Sequence, residues 1–334
     1  MAPKLKQALS YKHACKLEKQ LKNEVADLMS MADEADKKEW PEGLSIPDEI
    51  KRREDRLAVI TKAKKTIERR AEKRYQHEQA EYEEKVKRRK ARNNAGKAPR
   101  PPEPGARDKD QVSLTDDESR IMPVSGGAFE QAYNAQASVD IESGLIITRH
   151  VSQSPNDAKE IIPTLSQLKI LEPVLGKAKG LLGDTGYFSA SNVLAVDKAG
   201  VTPYIAVKRE IHNLPLQERF QADAPEPKDD ASPLEWMRWR MQTKAGRAIY
   251  SQRKHTIEPT FGIQKEAMGY RRFLVRGLAN VSKEWDLVCL AFNLRKLFSL
   301  KQTDGAKWLA LLLYWVFINL YLVNLCRQKH SRVV

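Results

Sequence analysis

The chain has 334 residues, enough for one or two domains with a hydrophobic core. Charged residues make up 31% of it and hydrophobic residues 41%, so at least part of the chain is globular. The net charge of +14 favours a polyanionic partner, nucleic acid or an acidic membrane surface, although solubility alone also explains it. The three widely spaced cysteines indicate neither a disulfide framework nor a zinc site. The N-terminus lacks an apolar secretion signal, so we expect a cytoplasmic protein.

The first 92 residues predict two long helices separated by a short break. Apolar residues recur at helical spacing in residues 5–36 and again in residues 48–91, and two prolines and a glycine lie between them. The remaining faces are dense in Lys, Arg and Glu, and no base-reading motif is visible. We therefore predict a charged helical hairpin over residues 1–92 and favour a solvated role for it over DNA reading. The apolar stripes are Leu17, Leu21, Val25 and Leu28 in the first helix, and Leu57, Ile60, Ile67 and Ala71 in the second.

Residues 93–113 contain four prolines and almost no large apolar side chain. A segment of this composition lacks the apolar surface that packing requires, so we predict a flexible or extended linker and a domain boundary here.

From residue 114 the pattern changes to strands that alternate with helices. We predict a β-hairpin over residues 132–151 and further strands at 179–184 and 201–207. Helical spacing follows the hairpin and again follows the strand at 179–184. Residues 209–232 are polar and predict an inserted loop, while 284–298 are apolar on nearly all sides and predict a buried helix. Strands alternating with helices indicate an α/β domain with a mixed sheet.

Three acidic residues occupy positions suited to catalysis. Asp140 and Asp184 each end a predicted strand, where α/β sheets usually present their functional groups, and Glu258 lies in a helical segment. Convergent carboxylates could hold two divalent cations, which would assist an in-line displacement at phosphorus. Each residue also has a structural explanation, since either aspartate could cap a turn or helix and Glu258 could form a surface ion pair.

The helix that carries Glu258 has a face suited to phosphate contacts. Residues on this face recur at spacings of four, four, three and four, so they lie on one side of the helix. The carboxylate could hold a cation while lysine and tyrosine side chains contact phosphate oxygens. The face consists of Tyr250, Lys254, Glu258, Phe261 and Lys265.

Three blocks of the sequence resemble DDE transposases of bacterial insertion sequences, in the group with a Tyr-Arg-Glu-Lys signature. The blocks are YNAQASVDIESGLIITRHVSQSPNDA, LLGDTGYFSASNVLAVDKAGVTPYI and YSQRKHTIEPTFGIQKEAMGYRRFLVRGLANVSKEWDLVCLAFNLRKL, and they occur in the family's order. The resemblance implies a ribonuclease-H-like mixed sheet with flanking helices over residues 114–300. It also implies two Mg²⁺ ions, for which Mn²⁺ could substitute, and cut-and-paste transposition on double-stranded DNA. The DNA would be transposon ends and target, and the active enzyme a homo-oligomer associated with the nucleoid.

Carried over by motif, Asp140 is the first aspartate, Asp184 the second and Glu258 the glutamate, all three as metal ligands. Tyr250, Arg253 and Lys265 fill the rest of the signature as DNA-binding residues. The signature has three residues between its arginine and glutamate, a gap that Lys254 fits, whereas four separate Arg253 from Glu258. Both Arg253 and Lys254 therefore stay candidates for the DNA contact, and Pro259 is expected to kink the helix.

Two features leave the activity of the chain open. Members of this group usually carry an additional helical N-terminal domain, whereas Met1 here leads almost directly into the charged helices, so we expect a truncated copy. In the C-terminal part, 301–334, the segment 308–326 has nineteen uncharged residues, and as a helix it would be about 28 Å long, close to a bilayer core. An active transposase, a non-catalytic DNA-binding remnant and a membrane-anchored basic protein are the three interpretations.

Overall fold

The computed structural model divides the chain into two compact units, Met1–Ala132 and Tyr133–Val334, which we describe in turn. The residues that it describes are 8–35, 45–91, 97–124, 127–208, 223 and 225–303. The segment 308–326, for which a membrane span was considered, lies outside these residues, as does most of the predicted loop at 209–232.

The first unit is built on two long helices, α1 (Tyr11–Ala35) and α2 (Ile46–Ala91). Helix α1 lies within the predicted segment 5–36, and α2 matches the predicted segment 48–91 except that it begins two residues earlier. Their apolar stripes face each other, and Leu21, Ile60 and Ile67 are almost completely buried in the shared core. The core ends at Ala71, and no residue of α2 beyond it is buried within the described part of the chain. Beyond Ala71, α2 carries ion pairs instead, both of the local i,i+4 type, such as Lys85 with Glu81, and with a segment distant in sequence, such as Arg74 with Asp110.

A short antiparallel ladder joins β1 (Ala8–Ser10) to β2 (Gln111–Ser113) beside these helices. Leu9 lies opposite Val112, and both side chains are buried in the helical core. Two expectations differ here. The first helix begins at Tyr11 rather than at residue 5, because residues 8–10 pair with β2. The end of the predicted linker is also not an unpacked segment, because Val112 is fully buried.

A second antiparallel hairpin, β3 (Arg120–Pro123) with β4 (Phe129–Ala132), completes the first unit. It had not been predicted. Residues 97–110 form neither helix nor strand, in agreement with their proline content.

The second unit opens with the predicted hairpin, formed by β5 (Asn134–Val139) and β6 (Ile146–Ser152). The strands pair antiparallel from Asn134 opposite Ser152 to Val139 opposite Ile146, with an irregularity at the turn. Gly144 closes this turn with a φ of 67°, a left-handed conformation that glycine adopts without steric cost.

A β–α–β unit follows. Helix α3 (Ile161–Leu175) leads into β7 (Gly180–Gly183), and α4 (Ala190–Lys198) connects β7 to a parallel neighbour, β8 (Thr202–Ile205). Ser189 caps α4 by accepting a hydrogen bond from the backbone N–H of Asn192. The interior of this unit contains Ile161, Val193, Val196, Ile205 and Met237, each almost fully buried.

Two consecutive helices, α5 (Pro233–Gln242) and α6 (Lys244–Gly262), come next. Ser232 and Glu235 form a reciprocal capping box at the start of α5, and these bonds lower the pKa of the Glu235 carboxyl. Thr243 then caps α6. Pro259 lies inside α6 without ending it, and the chain continues as a π-helical turn, Ile263–Ala267.

The last described helix, α7 (Leu278–Thr303), packs on the β5–β6 hairpin. Trp285 donates a hydrogen bond to the carbonyl of Gln136, and Cys289 and Phe292 fill the interface. Burial raises the pKa of the Cys289 thiol to about 12. The expectation of a helix buried on all sides is wrong, because Leu287 and Phe298 are 64% and 63% exposed. Some apolar side chains of α7 are therefore not covered by the described part of the chain.

The mixed α/β class is confirmed, although the strands of the described residues pair as four two-stranded sheets rather than one continuous sheet. Among these residues no helix is long and apolar enough to cross a membrane.

Candidate active site

Asp184 follows β7 directly and has two roles in the structure. Its Oδ1 accepts a hydrogen bond from the backbone N–H of Gly186 at 2.9 Å, which caps the short 3-10 helix Thr185–Tyr187. Its Oδ2 lies 3.8 Å from Nη1 of Arg253, and 45% of the side chain is exposed. The capping role weighed from the sequence is therefore real, but it uses only one of the two carboxylate oxygens.

Gly186 leaves room for a second carboxylate near Asp184. A Cβ atom at this position would lie 3.1 Å from Oδ1 of Asp184 and 3.2 Å from Oδ2 of Asp157. Any side chain here would press on both carboxylates, because 3.0–3.4 Å is closer than ordinary van der Waals contact.

Arg253 of α6 contacts both Asp184 and Glu258. Nη2 of Arg253 lies 3.3 Å from Oε1 of Glu258, so one guanidinium contacts carboxylates from two different elements. The same guanidinium lies over the ring of Tyr250, 5.8 Å from its centroid. Tyr250 is only 5% exposed, and its ring therefore supports Arg253 from within the fold.

All these carboxylates line one cavity of about 1650 Å³ in the second unit. Asp184 and Arg253 lie on its wall together with Glu258, Asp157 and Asp140. A cavity of this size has room for part of a polymer such as a nucleic-acid strand.

Asp140 lies on the same cavity but is engaged within its own turn. Its Oδ2 accepts hydrogen bonds from the backbone N–H and the hydroxyl of Ser143, at 2.8 and 2.7 Å. Among the described residues, no three His, Cys, Asp or Glu side chains are grouped closely enough to hold a metal ion. The structure thus brings Asp184 and Glu258 to one guanidinium, and the three-carboxylate site stays a prediction.

Comparison with known families identifies the part of the chain that carries Glu258. Residues 226–298 match the family model of the transposase DDE domain. Searches of the curated proteins and of the solved structures gave no match. The recognition of a DDE transposase is confirmed by this match, which contains Arg253 and Glu258 but begins after Asp140 and Asp184.

The carboxylates of Asp184 and Glu258 have the donor chemistry that suits a hard divalent cation. Mg²⁺ prefers oxygen ligands, and both Asp184 and Glu258 present exposed carboxylate oxygens to one cavity. Both already contact a positive charge, the guanidinium of Arg253. The donor chemistry therefore suits the divalent metals that transposases of this type normally use.

The two basic residues that compete for the expected DNA contact, Arg253 and Lys254, have different surroundings. Arg253 lines the cavity, whereas the exposed Lys254 is not among the described residues that form its wall. Lys265 is exposed and does line it, from the π-helical turn. Helical spacing favours Lys254, but the long side chain of Arg253 reaches along the helix to Glu258, five residues further on.

Sequence analysis missed a buried polar network behind Asp184. Oδ1 of Asp157 accepts hydrogen bonds from Asn134 Nδ2 at 2.9 Å and Gln136 Nε2 at 2.7 Å. The Tyr187 hydroxyl donates to Oε1 of Gln136. Burial raises the pKa of the Tyr187 phenol, and the charges of Asp157 and Asp184 raise it further, so the phenol stays a donor. The available signal was the pair of polar residues, 134 and 136, on one face of a predicted strand.

Proposed function

We propose that this chain is an insertion-sequence DNA transposase that cuts and joins DNA ends by metal-dependent phosphoryl transfer. The observation that carries the proposal is the meeting of Asp184 and Glu258 at Arg253, on the wall of a large cavity, with Glu258 inside the matched DDE segment. We further propose a ribonuclease-H-like catalytic domain over residues 114–300, preceded by the charged hairpin of residues 1–92 and the segment 93–113.

In this function Asp184 and Glu258 would hold Mg²⁺, with Asp140 as the expected third ligand. The bound metal would supply an activated attacking oxygen and would neutralise charge that develops on the phosphate. The chain's own side chains would bind and orient the DNA, with Arg253 and Lys265 offering cationic contacts to phosphate oxygens from the cavity wall. The excess of positive charge over the chain would add an attraction that is independent of DNA sequence.

Double-stranded DNA, as transposon ends and target, is the proposed substrate, and a homo-oligomer acting at the nucleoid is the proposed active form. A homo-oligomer would provide one catalytic site for each of the two DNA ends that such a reaction joins to the target.

The decisive test is the substitution Asp184→Asn with a transposon-end duplex. The amide can still accept the hydrogen bond from Gly186, so the cap is kept, but the negative charge that binds metal is lost. We expect Mg²⁺-dependent nicking to fall at least about a hundredfold while the melting temperature changes little and DNA affinity holds or rises. Glu258→Gln should behave in the same way.

A second candidate function is a DNA-binding remnant without catalysis, which is favoured by the turn that engages Asp140. A parent chain that binds the duplex but never nicks it, with Mg²⁺ or with Mn²⁺, would establish the remnant and refute the enzyme. If the parent does nick and Asp184→Asn retains full nicking, Asp184 is not a metal ligand.

A further inference from the structure

We propose that the Arg253 guanidinium is a built-in counter-ion between Asp184 and Glu258, and that a divalent cation binds these carboxylates only by displacing it. The inference rests on the proposed function, because it concerns the same site. It assigns Arg253 a role before DNA arrives, in addition to a contact with DNA.

The first step is the position of the side chain. The Nη1 atom lies 3.8 Å from Oδ2 of Asp184 and the Nη2 atom 3.3 Å from Oε1 of Glu258. About half of each carboxylate side chain is exposed, at 45% and 55%, whereas Arg253 is only 22% exposed. The ring of Tyr250 supports the guanidinium from below. The cation is therefore held by the protein on three sides, while its acidic partners remain open to the cavity.

The second step is competition for the same space. A Mg²⁺ ion requires carboxylate oxygens at about 2.1 Å, and it would have to lie between the two carboxylates if both bind it. The two terminal nitrogens of Arg253 occupy that region. Both cations cannot remain there, because the space is shared and their like charges repel each other.

The third step is the effect of displacement. Arg253 already lines the cavity, so a short movement of its long side chain leaves it on the cavity wall with Lys265. Its Nε atom is buried without a hydrogen-bond partner in the described part of the chain, so this donor is not tied to the present position. Metal binding would thus release a cation toward the surface on which a DNA phosphate is proposed to bind. Loading of the metal and affinity for DNA would be coupled through one side chain.

The test is a titration of the full-length chain with Mn²⁺ alone, in which the electron paramagnetic resonance signal reports unbound metal. Arg253→Gln should bind Mn²⁺ about tenfold more tightly than the parent, because two attractive contacts that oppose metal binding are removed. Lys254→Gln is the matched control: it removes the same charge one position along α6, and its effect should be less than about twofold because that side chain is exposed to solvent. Arg253→Lys keeps the charge but cannot reach both carboxylates. Its affinity for Mn²⁺ should therefore lie between that of the parent and that of Arg253→Gln.

Circular dichroism checks that each variant folds. If Arg253→Gln does not fold, the Mn²⁺ affinity of Arg253→Lys is compared with that of the parent instead. The counter-ion proposal is overturned if Arg253→Gln and Arg253→Lys bind Mn²⁺ no more tightly than the parent. It is also overturned if Lys254→Gln tightens Mn²⁺ binding as much as Arg253→Gln does. Tight Mn²⁺ binding that survives Asp184→Asn and Glu258→Gln also overturns it, because the metal then binds elsewhere. If Arg253→Gln tightens binding but the parent never nicks DNA, the proposed function falls and the counter-ion stands. If the parent nicks and the Mn²⁺ affinity of Arg253→Gln is unchanged, only the counter-ion falls.

Discussion

The Tyr187 hydroxyl is a single donor on which several side chains of the site depend. It donates to Gln136, which in turn donates to Asp157, and the Asp157 carboxylate lies beside Gly186 and Asp184. Because the pKa of Tyr187 is raised, the hydroxyl keeps its proton throughout the neutral and mildly alkaline range. In this pH range the phenol therefore does not alter the hydrogen bonds that orient Asp157 near the candidate metal site.

Removal of this hydroxyl should weaken the hydrogen-bond network without creating a cavity, because the aromatic ring stays in place. We expect Tyr187→Phe to lower the free energy of unfolding by about 1 kcal/mol, since Gln136 is buried and loses its donor. In a parent that nicks DNA, the rate should also fall several-fold. Tyr204→Phe is the control, because that ring contacts Arg240 through its face and keeps this contact without the hydroxyl. Equal melting temperatures for Tyr187→Phe and the parent would show that the network is not a structural support.

Lys265 allows phosphate binding to be separated from chemistry. It is exposed on the cavity wall, so Lys265→Ala should weaken binding of all duplex sequences alike. The slope of log affinity against log salt should become shallower by about one unit, because one fewer counter-ion is released. Filter binding over a salt series measures this slope. A change confined to one DNA sequence would instead indicate that Lys265 reads a base.

At the level of single elements, the ion pair of Arg74 with Asp110 links α2 to the residue that directly precedes β2. Arg74 donates to both carboxylate oxygens of Asp110, at 2.7 and 3.0 Å, and the backbone N–H of Arg107 donates to the same carboxylate. Burial works to raise the pKa of Asp110, but these donors outweigh it, and the net effect is a lowered pKa. The charged form is thus favoured in the folded state.

A lowered pKa fixes the direction of the pH dependence. The pair contributes fully above the unfolded-state pKa of aspartate, near 4, and its contribution is lost as the pH falls through the lower folded-state value. Asp110→Asn should therefore destabilise the first unit by about 1 kcal/mol at neutral pH, and this difference should disappear in acid. Melting curves between pH 7 and pH 2 check it, with the exposed Asp108→Asn as the control. A difference that stays constant into acid would contradict the ion-pair account.

Elements defined by local periodicity were predicted well, whereas those defined by distant partners were not. The stripe of Ile60, Ile67 and Ala71 marks α2 because helical spacing is visible within one segment. Strand β1 has only three residues and exists because Leu9 pairs with Val112, about a hundred residues away. The same holds for the candidate site. The ends of predicted strands point to Asp140 and Asp184 as candidates, whereas spacing along a helix could not show that Arg253 reaches Glu258. A side chain's reach depends on its length and rotamer as well as on where its Cα lies.

At the scale of the whole molecule, each unit has a hydrophobic core of its own. The first unit has one core between its two helices, and the second has separate cores around Val193 and around Trp285. We expect a fragment of residues 133–303 to fold alone and to melt cooperatively, because the cores seen among its described residues are built from the second unit itself. Circular dichroism during heating measures this. A fragment that melts without a transition would show that the second unit depends on the first.

Asn293 of α7 completes the edge of a strand with a side chain. Its Oδ1 accepts the N–H of Ile146 and its Nδ2 donates to the carbonyl of the same residue, both at 2.8 Å, in a buried environment. One carboxamide therefore imitates the backbone of a neighbouring strand at that residue. This has a consequence for solubility: an open strand edge can recruit a strand from another molecule, and here that position is already taken. A slip of the helix along the hairpin by one residue would break both bonds at once, so the same amide also fixes the register in which α7 assembles onto β6.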